Sequence, residues 1–155
     1  MTAIIFPGQG SQYLNMSMDF YSNFDVARKV FQEIEDITQI NIRQIITENP
    51  LDNLNQTNYT QISIFSASMA IYKSLLSEFG KEIIKPKILL GHSLGEYSAL
   101  VAGNLINISD ASLLIKKRGE LMHSSIEPNI SGMAAIIGKN ADFIDDVINK
   151  NNLKI

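Results

Sequence analysis

Cysteine is absent from the 155 residues. That excludes disulfides, thiolate metal sites and a cysteine nucleophile, and it fits a reducing compartment. Charge is sparse as well: 19% of residues are charged and the formal net charge is -3. Such a balance gives no reason to expect nucleic acid or an anionic membrane as a partner. No apolar run approaches the roughly 20 residues that a membrane span needs. The opening Met1-Thr2-Ala3-Ile4-Ile5-Phe6 lacks a basic segment, and Pro7-Gly8 cuts its apolar run short, unlike a signal peptide. A cytoplasmic location is the resulting expectation. Histidine is scarce, with only His92 and His123, and arginine is limited to Arg28, Arg43 and Arg118. Of all residues 45% are hydrophobic, and the chain has no internal repeats or low-complexity segments. A chain of this size and composition can bury a real core.

Short apolar runs alternate with helical patterns along the chain. Residues 3–6 read as a buried strand stopped by Pro7-Gly8, and Gly8-Gln9-Gly10-Ser11-Gln12 as a loop. The spacing predicts a helix over 25–37, with Val26, Val30, Ile34 and Ile37 on one stripe. A short helix at 42–47 precedes Pro50. A long helix over about 60–79 carries Ile64, Ala67, Ile71 and Leu75 at helical spacing and ends at Gly80. Residues 87–90 give a second buried strand and 94–102 a helix. Ser109 is expected to cap a helix reaching about 125. A third strand is expected at 133–137, then a helix over 140–150 capped by Asn140. The alternation predicts an α/β fold with a parallel sheet. A turn signal at Glu127-Pro128-Asn129 separates residues 1–128 from 129–155.

Gly91-His92-Ser93-Leu94-Gly95 fits G-x-S-x-G, between a predicted strand and a predicted helix. A sharp strand-to-helix turn there would strain the serine backbone and lift its Oγ off the sheet. Small residues two before and two after it would keep strand and helix from clashing. The Leu94 N–H would lie at a helix N-terminus, where it can bind an oxyanion. Ser93 is therefore the candidate nucleophile. Gln9, between two glycines just after a strand, can bring its backbone close to a ligand, or can simply belong to a turn. Arg118 falls on the apolar stripe Ala111, Leu114, Ile115 and Met122, with Lys116, Lys117 and Glu120 on the wet side. An inward arginine needs a partner, and its planar guanidinium suits a carboxylate, either a ligand's or one of the chain's own acids.

The run Gly91-His92-Ser93-Leu94-Gly95-Glu96-Tyr97-Ser98-Ala99-Leu100 resembles the active-site signature of bacterial malonyl-CoA:acyl-carrier-protein transacylases. Phe6-Pro7-Gly8-Gln9-Gly10-Ser11-Gln12 is similar to that family's opening motif. Gly132-Met133-Ala134-Ala135-Ile136-Ile137-Gly138 is similar to the first strand of its small subdomain. The resemblance covers essentially the whole chain as an N-terminal portion of the family. It implies that residues 1–128 are the N-terminal part of an α/β hydrolase-like large subdomain. Residues 129–155 would then be the incomplete start of a ferredoxin-like α+β small subdomain.

The resemblance also implies the chemistry. Ser93 would take a malonyl group from malonyl-CoA as an ester and pass it to the pantetheine thiol of acyl carrier protein, in fatty-acid synthesis. The backbone N–H groups of Gln9 and Leu94 would form the oxyanion hole, and Arg118 would hold the malonyl carboxylate. No metal or redox cofactor is implied, nor any nucleic-acid or membrane partner, and the complete enzyme is expected to be a monomer. The family's base is a histidine further downstream than this sequence reaches. Its orienting and carboxylate-binding glutamine or asparagine partners are likewise expected outside the chain. His92 precedes Ser93 on the elbow, where neighbouring side chains diverge. His123 lies about 140° around the helix from Arg118. Neither suits the role, so residues 1–155 alone are expected to fold poorly and to be an inefficient transacylase. The alternatives are an inactive fragment, half of a split protein, an acyltransferase domain of polyketide synthesis, or a serine esterase. The last gives Arg118 no task.

Overall fold

The computed structural model describes residues 2–125 and 136–153. The chain divides into two units, Met1–Ser125 and Ile126–Ile155. In the first unit, β1 (Ala3–Phe6) and β2 (Ile88–Gly91) form a parallel pair, with Ala3 opposite Ile88 and Phe6 opposite Gly91. Between them come α1 (Met18–Asn23), α2 (Asp25–Thr38), α3 (Ile42–Glu48), a 3-10 segment (Pro50–Asn55) and α4 (Thr57–Phe79). After β2 follow α5 (Gly95–Ala102) and α6 (Ile108–Ser124). The second unit contributes α7 (Ala141–Asn151), which Asn140 caps by accepting from the Phe143 N–H. The strand expected at 133–137 lies largely outside the described residues.

Helix α4 is the axis of the first unit. A single apolar stripe was the sequence expectation, yet every residue from Thr60 to Ala70 is buried. Small side chains at Ser63, Ser66, Ala67, Ser68 and Ala70 allow α2, α5 and α6 to close around it. Its hydroxyls mostly return to the backbone. Thr60 Oγ1 donates within reach of the Leu54 and Gln56 carbonyls at 2.7 and 2.9 Å, Ser66 to Ile62 at 2.8 Å, and Ser74 to Ala70 at 2.8 Å. Such local bonds let polar atoms enter a core without orphaned donors. Gly80, at φ 75°, ends the helix as expected.

Several other expectations shift in detail. The buried face of α2 runs through Ala27, Val30, Phe31, Ile34, Glu35 and Thr38, turned from the predicted stripe so that Val26 and Ile37 are only half-buried. The cap of α6 is Asn107, whose Oδ1 accepts from the Asp110 N–H at 2.7 Å. Ser109 is inside the helix and donates to Glu33. Asparagine caps as well as serine does, and Asn107 has the extended backbone a cap requires. Lys116, placed on the wet side by spacing, is half-buried and donates to the Thr38 carbonyl at the end of α2. Helix α1 went unread because six residues carry too little periodicity.

The strands are less buried than their apolar sequences imply. Ile4, Phe6 and Leu89 turn toward the helices, whereas Ile5 is 69% exposed and Leu90 48%. Strands of parallel sheets are normally covered on both faces. Here β1, Tyr13, Met16 and the stripe Ile64, Ala67, Ile71 and Leu75 line an open apolar groove of about 380 Å³.

One charged group is built into the α2–α3 corner. Glu35, 8% exposed, accepts from the Arg43 N–H at 2.8 Å and from its Nε at 2.7 Å, while Arg43 Nη1 donates to the Tyr21 hydroxyl at 2.8 Å. These bonds, Glu35 first, hold the Arg43 guanidinium even more firmly protonated than usual. Glu35→Ala should lower stability by about 1–3 kcal/mol, the cost of stranding charge-assisted donors in a corner partly open to water. Thermal unfolding of the two proteins checks this; an unchanged midpoint would make the cluster a surface ornament.

Candidate active site

Three residues turn β2 into α5. The His92 N–H donates to the Phe6 carbonyl at 3.1 Å, the Gly95 N–H to the His92 carbonyl at 2.9 Å, and the Glu96 N–H to the Ser93 carbonyl at 3.1 Å. Ser93 is thereby held at φ 52°, a left-handed conformation that costs an L-residue about 1–2 kcal/mol. No side chain fits at the two flanking glycines. A Cβ on Gly91 would lie 2.0 Å from the Gly95 carbonyl carbon, and one on Gly95 would lie 2.2 Å from the Phe6 carbonyl oxygen. Leu94 is fully buried and anchors the turn, while Ser93 stands exposed.

Two backbone donors are left open. Among the described residues, neither the Leu94 N–H nor the Gln9 N–H has a protein acceptor. The next two in the loop are occupied: the Gly10 N–H by Gln12 Oε1 at 2.8 Å and the Ser11 N–H by the Gly8 carbonyl at 3.3 Å. The loop is moored to the start of α4. Gln9 Nε2 donates to Thr57 Oγ1 at 3.1 Å, and Gln12 Nε2 to Asn55 Oδ1 at 3.2 Å.

Arg118 reaches this place from α6. Its Nη2 donates to Ser93 Oγ at 3.0 Å and its Nη1 to the Oε1 of Gln61 on α4. The approach depends on Gly119, where a Cβ would come within 3.0 Å of Asn58 Cα and 3.2 Å of the Thr57 carbonyl. The buried face of α6 is Ala111, Ser112, Ile115 and Gly119, with Leu114 52% exposed and Arg118 half-buried at the edge. Among the described residues the side-chain partners of Arg118 are Gln61 and Ser93, not an acid of the chain.

Ser93 and Arg118 are therefore brought together, and the Gln9 and Leu94 N–H groups are unoccupied. The histidines do not join them. His92 is exposed, with its imidazole over Gly8, and His123 is exposed further along α6. Gln61 went unread. A glutamine in an otherwise apolar and small-residue stretch, Ile62 to Ala70, was the available signal, since a buried amide needs partners.

A strand, a strained serine, a helix opened by it and an arginine on the serine hydroxyl make up the site. The chain belongs to the acyl transferase domain family, whose model it matches over residues 3–148. Within that family its similar proteins are malonyl CoA-acyl carrier protein transacylases. It is 34% identical to the one from Bacillus subtilis (strain 168) over 148 residues, covering 96% of this chain and 45% of that protein. It is 36% identical to the one from Haemophilus influenzae over 136 residues, covering 88% and 43%. The solved structure of the malonyl CoA-acyl carrier protein transacylase from Coxiella burnetii matches with a TM-score of 0.84 at 32% identity, over 96% of this chain and 46% of that one. A malonyl-transacylase solved in complex with a type II PKS acyl-carrier protein matches with a TM-score of 0.80 at 36% identity, over 96% and 47%. The chain thus spans about half the length of the relatives it matches. Among the described residues, no helix is long and apolar enough to cross a membrane.

The strain at Ser93 can be measured. Ser93→Gly and Ser93→Ala both remove the hydroxyl, but only glycine relaxes the left-handed backbone. The glycine variant should be the more stable by about 1 kcal/mol. Equal unfolding midpoints would remove strain from the description of the elbow.

Proposed function

We propose that this chain carries the nucleophile half of a malonyl-transfer site, working in the cytoplasm on malonyl-CoA and acyl carrier protein in fatty-acid synthesis. Ser93 Oγ attacks the malonyl thioester, its proton passes to a base, and the carbon–sulfur bond breaks to release coenzyme A. The pantetheine thiol of acyl carrier protein then attacks the malonyl-serine ester, and Oγ leaves and regains a proton. The Gln9 and Leu94 N–H groups receive the oxyanion of both tetrahedral intermediates. Arg118 leaves Ser93 to take the malonyl carboxylate as a charge-assisted pair.

The observation that carries this reading is the Arg118 guanidinium 3.0 Å from Ser93 Oγ. A cation that close to the nucleophile suits an acyl group ending in a carboxylate, and a plain esterase has no use for it. The similarity to malonyl CoA-acyl carrier protein transacylases supports the same substrate. Similarity to a transacylase that serves a polyketide carrier protein leaves that pathway as the neighbouring alternative.

The base comes from outside these 155 residues, since neither His92 nor His123 touches Ser93. In this reading residues 1–128 belong to a hydrolase-like large subdomain and 129–155 begin a ferredoxin-like small one, the complete enzyme being a monomer. The exposed Ile5–Leu90 face and the groove beside it favour a half that needs a complement.

Arg118→Ala should cost malonyl-CoA about 2–5 kcal/mol in kcat/KM while acetyl-CoA loses little, because only the charged acyl group is left unpaired. Equal loss for both substrates sinks the carboxylate assignment. Mass spectrometry after incubation with malonyl-CoA should find the adduct on Ser93 and none in Ser93→Ala. The 155-residue chain alone should turn over very slowly and aggregate. A soluble monomer with transfer rates of a full transacylase would refute the need for a complement.

A further inference from the structure

We infer that Gln61 is a positioning residue that fixes the plane of the Arg118 guanidinium, and through it the preference for a carboxylated acyl group; this rests on the malonyl-transfer reading above. Gln61 is fully buried at 0% exposure, one turn into α4. A buried primary amide must find an acceptor for its NH2 and a donor for its oxygen. Its Nε2 donates to Met122 Sδ at 3.3 Å, and its Oε1 accepts from Arg118 Nη1. The amide cannot usefully turn over. Reversed, it would set NH2 against a cation that only donates, and oxygen against a sulfur that offers no hydrogen.

The consequence is geometric. Arg118 is free to rotate about its own side-chain bonds unless one edge of its fork is tied. Gln61 ties Nη1, which directs Nη2 onto Ser93 Oγ at 3.0 Å. A carboxylate attached two bonds from a carbonyl carbon under attack by Ser93 would have to meet that same edge. Because Gln61 is neutral, it orients the guanidinium without neutralising it. An acid at this position would orient it equally well and cancel the charge that a malonyl group needs. The backbone frame is equally firm: α6 touches α4 at Gly119, one residue from Arg118, against Asn58, three residues before Gln61.

Three variants separate orientation from charge. Gln61→Met keeps the side-chain volume but removes the acceptor; Gln61→Glu keeps the acceptor but pairs the charge; Arg118→Ala removes the cation. The first readout is arginine-selective nitrogen NMR of the complete enzyme. Tied guanidinium groups rotate slowly and give two resolved Nη signals. Arg118 should show them in the parent and in Gln61→Glu, and a single averaged signal in Gln61→Met. The second readout is the ratio of malonyl-CoA to acetyl-CoA affinity in a Ser93→Ala background, where no turnover intervenes. Gln61→Met should lower that ratio about tenfold, the worth of one misdirected charge-assisted bond. Gln61→Glu should lower it too while keeping the signals resolved. Resolved Nη signals in Gln61→Met overturn the proposal, as does an unchanged ratio there when Arg118→Ala collapses it. An Arg118→Ala ratio equal to the parent's, or failure to bind either thioester, tells against malonyl specificity instead. The nitrogen signals then still decide whether Gln61 orients Arg118.

Discussion

The Gly95 backbone lies so close to the Phe6 and Pro7 carbonyls that no Cβ would fit between them, and the site is a consequence of that approach. With no room for a Cβ at Gly91 or Gly95, the start of α5 packs directly against the end of β1, which runs parallel beside β2. The Phe6 carbonyl accepts from the His92 N–H at the end of the parallel pair. The chain must then reverse into α5 within three residues, which forces Ser93 into its left-handed conformation and exposes its hydroxyl. It also leaves the Leu94 N–H ahead of the first helical bond, where it has nothing to donate to. The strain is thus a by-product of packing that also creates an exposed oxygen and a free donor side by side.

The start of α4 is the second organising point. Two separate parts of the chain are referred to it: the loop after β1 through Gln9 and Gln12, and α6 through Gly119 and through the contact of Arg118 with Gln61. Each tie is weak alone, and several are exposed. Together they relate the Gln9 loop, Ser93 and Arg118 to one helix that is itself buried on every side from Thr60 to Ala70. A functional geometry held by a rigid, enclosed helix keeps its spacing better than one held by loops.

How much of this could be read from the sequence differed by kind of signal. The elbow was legible because glycine, serine and glycine at fixed spacing have one steric purpose, and the strand and helix around it were found. Arg118 was legible as an inward arginine, although the stripe that located it was partly wrong: Leu114 faces solvent and Gly119 does the packing. Glycine carries no hydropathy, so periodicity could not register it. Gln61 and the all-round burial of α4 were hidden for a related reason. Periodicity finds a helix with one wet face, and a helix enclosed by neighbours has no such face over its middle. The exposure of Ile5 and Leu90 could not be read either, since an apolar strand gives the same sequence signal whether or not its cover lies within the chain.

The contact at Gly119 has a mechanical meaning. Where two helices touch backbone to backbone, with no side chain between them, neither can slide along the other without climbing over a peptide group. What remains is a small rocking about the point of contact, and the amplitude at any residue grows with its distance from that fulcrum. Ile108, at the far end of α6, sits on the long arm, and Ser124 on the short one. Arg118 adjoins the fulcrum, so thermal agitation of α6 displaces the arginine less than almost any other residue of the helix.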